Sequence, residues 1–172
     1  MTYYTKQQLQ QYLRPADIIL VHGDSLISKI IQTVNKSHWN HAIMYLGYNK
    51  FIESDWNGVV EGNLEKLVTR DIEVLRHKNL PIDEALYITE LTKQFKGKDY
   101  DFYGLIELGL IWMFGNRGSP RDIGSKNKFI CSELCALPYQ SMGYNIIDGV
   151  DYDAIAPSDF DISKYFRRVD MS

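Results

Sequence analysis

The chain has 172 residues, of which 45% are hydrophobic and 24% charged, and a formal net charge of −3. That length and balance suit one globular domain with a sizeable core. So small an acidic excess favours neither a nucleic-acid backbone nor an anionic membrane surface, and neither is expected as a partner.

The opening stretch MTYYTKQQLQQYLRP is polar and amphipathic and lacks the apolar centre of a secretory signal. Residues 1–13 are expected to form a helical extension of a single domain spanning 1–172. With only two cysteines, the missing signal gives an expected cytoplasmic location, release by lysis or dedicated delivery being the alternative.

ADIILV (16–21) reads as a short buried strand after Pro15, and DSLISKIIQTV (24–34) has the apolar spacing of a helix capped by Asp24 or Ser25. NHAIMYLG (40–47) alternates and is rich in strand formers. KFIES (50–54) gives another strand after a turn at Tyr48-Asn49, GVVEG (58–62) a third, and DIEVLRH (71–77) a further one.

PIDEALYITELTKQFKGK (81–98) carries the strongest helix signals: Pro81 at its start, Asp83 and Glu84 in the first turn, lysines at the end and Gly97 as the stop. DFYGLIELGLIWMF (101–114) reads as a glycine-interrupted helix, too short and too charged for a membrane span. A polar loop over 116–128 leads to a helix over 131–142, which Pro138 is expected to break or kink and Gly143 to end. APSDF and KYFRRV supply a final turn and strand. Consecutive strands and clustered helices point to an α+β fold.

Both cysteines lie in FICSELCA, as Cys131 and Cys135. Their CxxxC spacing is a poor match to zinc knuckles, and a redox pair of the thioredoxin kind needs CxxC. The HxxH formed by His38 and His41 would point to opposite faces of a strand. A disulfide between residues one helical turn apart is sterically awkward. Two readings stay open for Cys131: buried filler, or a nucleophile activated by a helix N-terminus and an imidazole. Cys135, one turn further in, reads as a small buried apolar residue. Among the histidines, His41 opens an alternating strand with Ile43 and Tyr45 on its face, while His22, His38 and His77 sit at strand ends or in a loop.

HAIMYLGYNKFIES resembles the histidine strand and hairpin of the NlpC-type and papain-like cysteine peptidase superfamily. FICSELCA resembles the cysteine helix of its circularly permuted branch, the YiiX-type amidases, in which the histidine precedes the cysteine. RPADIILVHGDSLISKIIQ, KDYDFYGLI and APSDF are also similar to that branch, with Asp17-Ile18-Ile19 standing for its Gly-Asp-hydrophobic element. The resemblance covers most of 14–160. It implies a circularly permuted papain-like fold, an antiparallel sheet or partial barrel packed against helices, with the nucleophile at a helix N-terminus.

Carried over by position, the resemblance makes Cys131 the nucleophile and its backbone N–H an oxyanion donor. His41 becomes general base and later acid, and Glu53 the residue that orients the imidazole. A tight hairpin with the three-residue loop Tyr48-Asn49-Lys50 would put Tyr45 opposite Glu53 and Asn57 opposite His41. Contact between His41 and Glu53 therefore requires a bulge, strong twist or shifted loop, and Asp55 and Asn57 compete for the role. Ala42 stands where a glycine often follows the family's histidine. Glu133 reads as a helix-start residue acting on the dipole.

The function so implied is hydrolysis of an amide, peptide or related acyl bond through a Cys131 thioester. The expected substrate is a small peptide, an amino-acid amide or a lipid-acyl group. Acyl transfer of the lecithin–retinol acyltransferase type and a non-catalytic binding module are the alternatives. No cofactor is implied, since this chemistry needs none and no phosphate-cradling glycine loop is present.

Overall fold

The computed structural model describes residues 3–23, 37–101 and 128–171. The helices expected at 24–34 and 101–114, and most of the polar loop at 116–128, lie outside the described residues.

Strands β1 (Ile18–His22), β2 (His41–Gly47), β3 (Lys50–Asp55), β4 (Gly58–Asn63), β5 (Asp71–His77) and β8 (Phe166–Arg168) form one antiparallel sheet in the order β4-β3-β2-β1-β5-β8. A small parallel pair joins β6 (Asp99–Tyr100) to β7 (Lys128–Phe129). The helices are α1 (Lys6–Tyr12), α2 (Ile82–Lys93), α3 (Cys131–Ser141) and α4 (Pro157–Ile162).

The central strands are apolar on both faces because both faces are covered. Ile18, Leu20, Ala42, Met44 and Leu75 pack with Ala85 and Ile88 of α2 and with Leu134, Cys135, Ala136 and Tyr139 of α3. Ile19, Val21, Ile43, Tyr45, Phe51, Ile72 and Val74 pack with Leu9 of α1 and with Leu13, Leu64 and Leu67. The N-terminal segment is thus one lid of the core. Its helix opens on a capping box in which Thr5 accepts the Gln8 N–H and Gln8 accepts the Thr5 N–H.

The β2–β3 hairpin departs from the expected three-residue loop. Tyr48 and Asn49 alone make the turn, with φ of 50° and 63°. Positive φ at both central residues is the type I′ geometry, whose twist matches that of the strands it joins. The register runs Met44↔Ile52 and Tyr45↔Phe51, then shifts to Gly47↔Lys50, so Leu46 is the extra residue of a bulge. Counted back from Met44↔Ile52, Glu53 is level with Ile43 rather than Tyr45, and His41 with Asp55 rather than Asn57. His41 and Glu53 are then diagonal neighbours on one face, within reach for long side chains.

Two helices also differ from expectation. The helix expected over 81–98 ends at Lys93, where the N–H groups of Gln94, Phe95 and Lys96 each bond the carbonyl three residues back. These tighter bonds unwind the end towards Gly97, at φ 81°. Pro138 neither breaks nor ends α3, which is assigned as helix throughout Cys131–Ser141. An interior proline costs about 3 kcal/mol. Burial of Leu134, Cys135, Ala136 and Tyr139, and the bond from the Tyr139 hydroxyl to the Ala16 carbonyl at 2.5 Å, hold the helix on both sides of it.

Candidate functional site

Residue Cys131 is the first of α3, entered from extended Phe129 and Ile130. Glu133 Oε2 accepts the Ile130 N–H at 3.2 Å, so its carboxylate satisfies a donor at the helix start and sits at the positive end of the dipole. Ser54 on β3 donates from Oγ to the Phe129 carbonyl at 2.6 Å, pinning the approach to the helix against the sheet. Cys131 is buried, 5% exposed.

Next to Ser54, and pointing to the other face of β3, is Glu53. Its Oε2 lies 2.8 Å from His41 Nε2, which donates to it. The His41 ring also lies near enough to Cys131 for the thiol to act on its titration, and Nδ1 is the nitrogen left to face it. One imidazole thus spans a carboxylate and a thiol. Burial alone would lower the His41 pKa. The charge of Cys131, followed by the bond to Glu53 and its charge, outweighs that and pushes it up to about 10. Burial pushes Glu53 the opposite way from its partners. The bond and charge of His41, with Arg70 and Lys66, hold its carboxyl below the usual carboxylate range.

The competitors for Glu53 are placed elsewhere. Asp55 Oδ1 accepts the Asn57 N–H at 2.8 Å, an Asx turn that builds the β3–β4 hairpin, and Asn57 is exposed. Cys135 is fully buried among apolar side chains. Burial, then the charges of Cys131 and Glu53, push its thiol well up.

The other histidines have separate surroundings. His38 lies in the loop before β2, where its Nε2 meets Asp71 Oδ2 at 2.8 Å; His22 Nδ1 bonds the His38 carbonyl at 2.8 Å, and the two rings stack. His77 is buried beside Tyr139, Tyr144, Tyr165 and Phe166, and burial lowers its pKa. His38 and His41 therefore face different carboxylates. Among the described residues no three His, Cys, Asp or Glu side chains are grouped as ligands for a metal ion.

Sequence reasoning missed three neighbours. Asn40, just before His41, clamps Gly23 through both ends of its amide, at 2.9 and 3.0 Å, and fixes where β2 begins. Ser54 is the second. Tyr100 is the third: burial, then the charges of Cys131, Asp101, Glu133 and Asp55, raise its pKa and keep its hydroxyl protonated. None has a motif of its own, since each acts through a contact made across the fold.

No family model matches the chain, and no curated protein does. Among solved structures, the crystal structure of the metalloprotein YiiX from Escherichia coli O157:H7 is similar, with a TM-score of 0.67 at 18% sequence identity. The match covers 91% of this chain and 96% of that one. This chain accordingly has a YiiX-like α+β fold, an antiparallel sheet packed against helices.

Proposed function

We propose that the protein is a cysteine hydrolase of the permuted papain-like kind, acting on an amide, peptide or related acyl bond. The observation that carries this reading is the single His41 ring, bonded at 2.8 Å to Glu53 and coupled to the neighbouring Cys131 at a helix N-terminus. Nucleophile, base and orienting group then stand in the order that such chemistry requires.

In the proposed cycle Cys131 attacks as thiolate beside the imidazolium of His41. Its sulfur bonds the substrate carbonyl carbon, and the oxygen gains negative charge facing the Cys131 backbone N–H. The His41 proton passes to the leaving nitrogen or oxygen, the scissile bond breaks, and a thioester remains. Water attacks that thioester, gives a proton to His41 and releases the acid. Glu53 keeps its ring orientation and the positive charge supported throughout. The YiiX neighbour is described as a metalloprotein. Here Glu53 holds Nε2 of His41, and among the described residues no three His, Cys, Asp or Glu side chains are grouped as ligands for a metal ion.

Alkylation of the native protein across pH, read at each cysteine by mass spectrometry, tests the pair. Cys131 is expected to label first, with Cys135 protected, and His41→Ala to change the Cys131 profile. Labelling of Cys131 that is identical in wild type and His41→Ala removes the basis for catalysis and leaves a binding scaffold.

A further inference from the structure

Beside Cys131 the structure builds a second, rigid feature from the β3–β4 hairpin and the β6–β7 pair. Trp56 and Asn57 are the two turn residues between Asp55 and Gly58, and Trp56 is 64% exposed. The turn is held from both sides. Asp55 caps it, and Gly58 seats on the Lys98 carbonyl so closely that a Cβ there would lie 2.3 Å from the oxygen. The Val59 N–H donates to that same oxygen at 2.8 Å. Two residues on, Tyr100 pairs in parallel with Phe129, and the Asp101 N–H bonds the Phe129 carbonyl at 3.2 Å. Phe129 stands two residues before Cys131, so the Tyr100 backbone is registered to the nucleophile helix. The Trp56 and Tyr100 rings lie 6.1 Å apart, tilted by 34°.

We infer that Trp56 and Tyr100 form a substrate shelf beside Cys131, one that takes an uncharged apolar or aromatic group flanking the scissile carbonyl. The inference rests on the cysteine-hydrolase reading. Two fixed aromatic faces offer apolar contact at little cost in ordering, because hydrogen bonds already hold both backbones.

The test uses labelling rates rather than turnover. Iodoacetamide and N-benzyl-iodoacetamide are compared at Cys131, each rate divided by its rate with glutathione to cancel intrinsic reactivity. The benzyl reagent is expected to gain roughly threefold to tenfold over iodoacetamide, the range that one aromatic contact supplies. That gain survives Trp56→Phe and disappears in Trp56→Ala and Trp56→Gln. A benzyl gain unchanged in Trp56→Ala overturns the shelf. Failure of the hydrolase reading is scored separately by His41→Ala, because labelling needs no turnover.

Discussion

The sheet carries a buried ion pair at each end, and the two are put to different use. At one end His41 meets Glu53; at the other, Asp17 takes Nε and Nη2 of Arg76 at 2.8 and 2.7 Å, while Nη2 also reaches the Tyr12 carbonyl and Asp17 accepts the Arg14 N–H. β1–β2 pairing sets these ends apart, with Val21 opposite His41 at one and Ile18 opposite Met44 near the other. Both carboxylates are buried. The Asp17–Arg76 pair is bound up with backbone and serves as a brace, next to the carbonyl of Ala16 that Tyr139 of α3 uses as its anchor. The His41–Glu53 pair keeps one ring nitrogen for a sulfur. A buried ion pair thus becomes a candidate site when one partner retains a valence that the fold directs at a reactive atom.

The contrast is broken most directly at the sulfur end. With an acyl or peptidyl amide that the wild type cleaves, Cys131→Ala and His41→Ala are each expected to lower kcat by a thousandfold or more, of the order seen when such groups are removed elsewhere, while the urea midpoint of Cys131→Ala stays near wild type. At the brace end the pattern inverts. Arg76→Ala leaves Asp17 buried without its partner and is expected to cost about 3–5 kcal/mol in chemical denaturation, with Cys131 still labelled ahead of Cys135 under native conditions.

Titration separates the pairs further. The folded His41 pKa, about 10, lies above its unfolded value of about 6.5, so its contribution is full below that value and is lost as pH rises towards 10. Glu53 is held below its unfolded value of about 4.3, so its contribution is present above that value and is lost as pH falls through the folded one. Stability from this pair is therefore greatest between about pH 4.3 and 6.5. Urea melts of wild type and Glu53→Gln are expected to diverge most in that window, and curves that stay parallel from pH 3 to 10 would contradict the assignment. The smallest effect belongs to the hairpin turn, where Tyr48 is 95% exposed at φ 50°. Tyr48→Gly relieves the strain of a bulky left-handed residue and should raise stability by about 0.5–1 kcal/mol without altering cysteine labelling.

Much of this arrangement was legible in the sequence. β5 over 71–77 follows from alternation alone, and the start of α3 at Cys131 from the change of apolar period and from Glu133. The contact between His41 and Glu53 was not legible, because it depends on a bulge at Leu46 and on a tyrosine tolerating positive φ. The turn at Tyr48-Asn49 and the strand from Lys50 are legible, whereas the bulge is not, and without it a loop that includes Lys50 gives a register two residues away. The continuity of α3 through Pro138 is not legible for a related reason: the proline's penalty is local, and the burial that offsets it comes from residues distant in the chain. In the sequence Glu53 is preferred to Asp55 on resemblance alone; the Asx turn, in which Asp55 Oδ1 accepts the Asn57 N–H, is a contact that spacing does not reveal.

Successive residues of β3 bond to opposite sides of the sheet, Ser54 to the carbonyl before the cysteine helix and Glu53 to the histidine. A slip of one position would swap those faces and undo both bonds together. Pairing of this strand and assembly of the thiol–imidazole couple are consequently one cooperative event. A chain still folding, or one locally opened at this hairpin, carries a cysteine without its activating neighbour. In the proposed hydrolase, reactivity is in this way confined to the folded molecule.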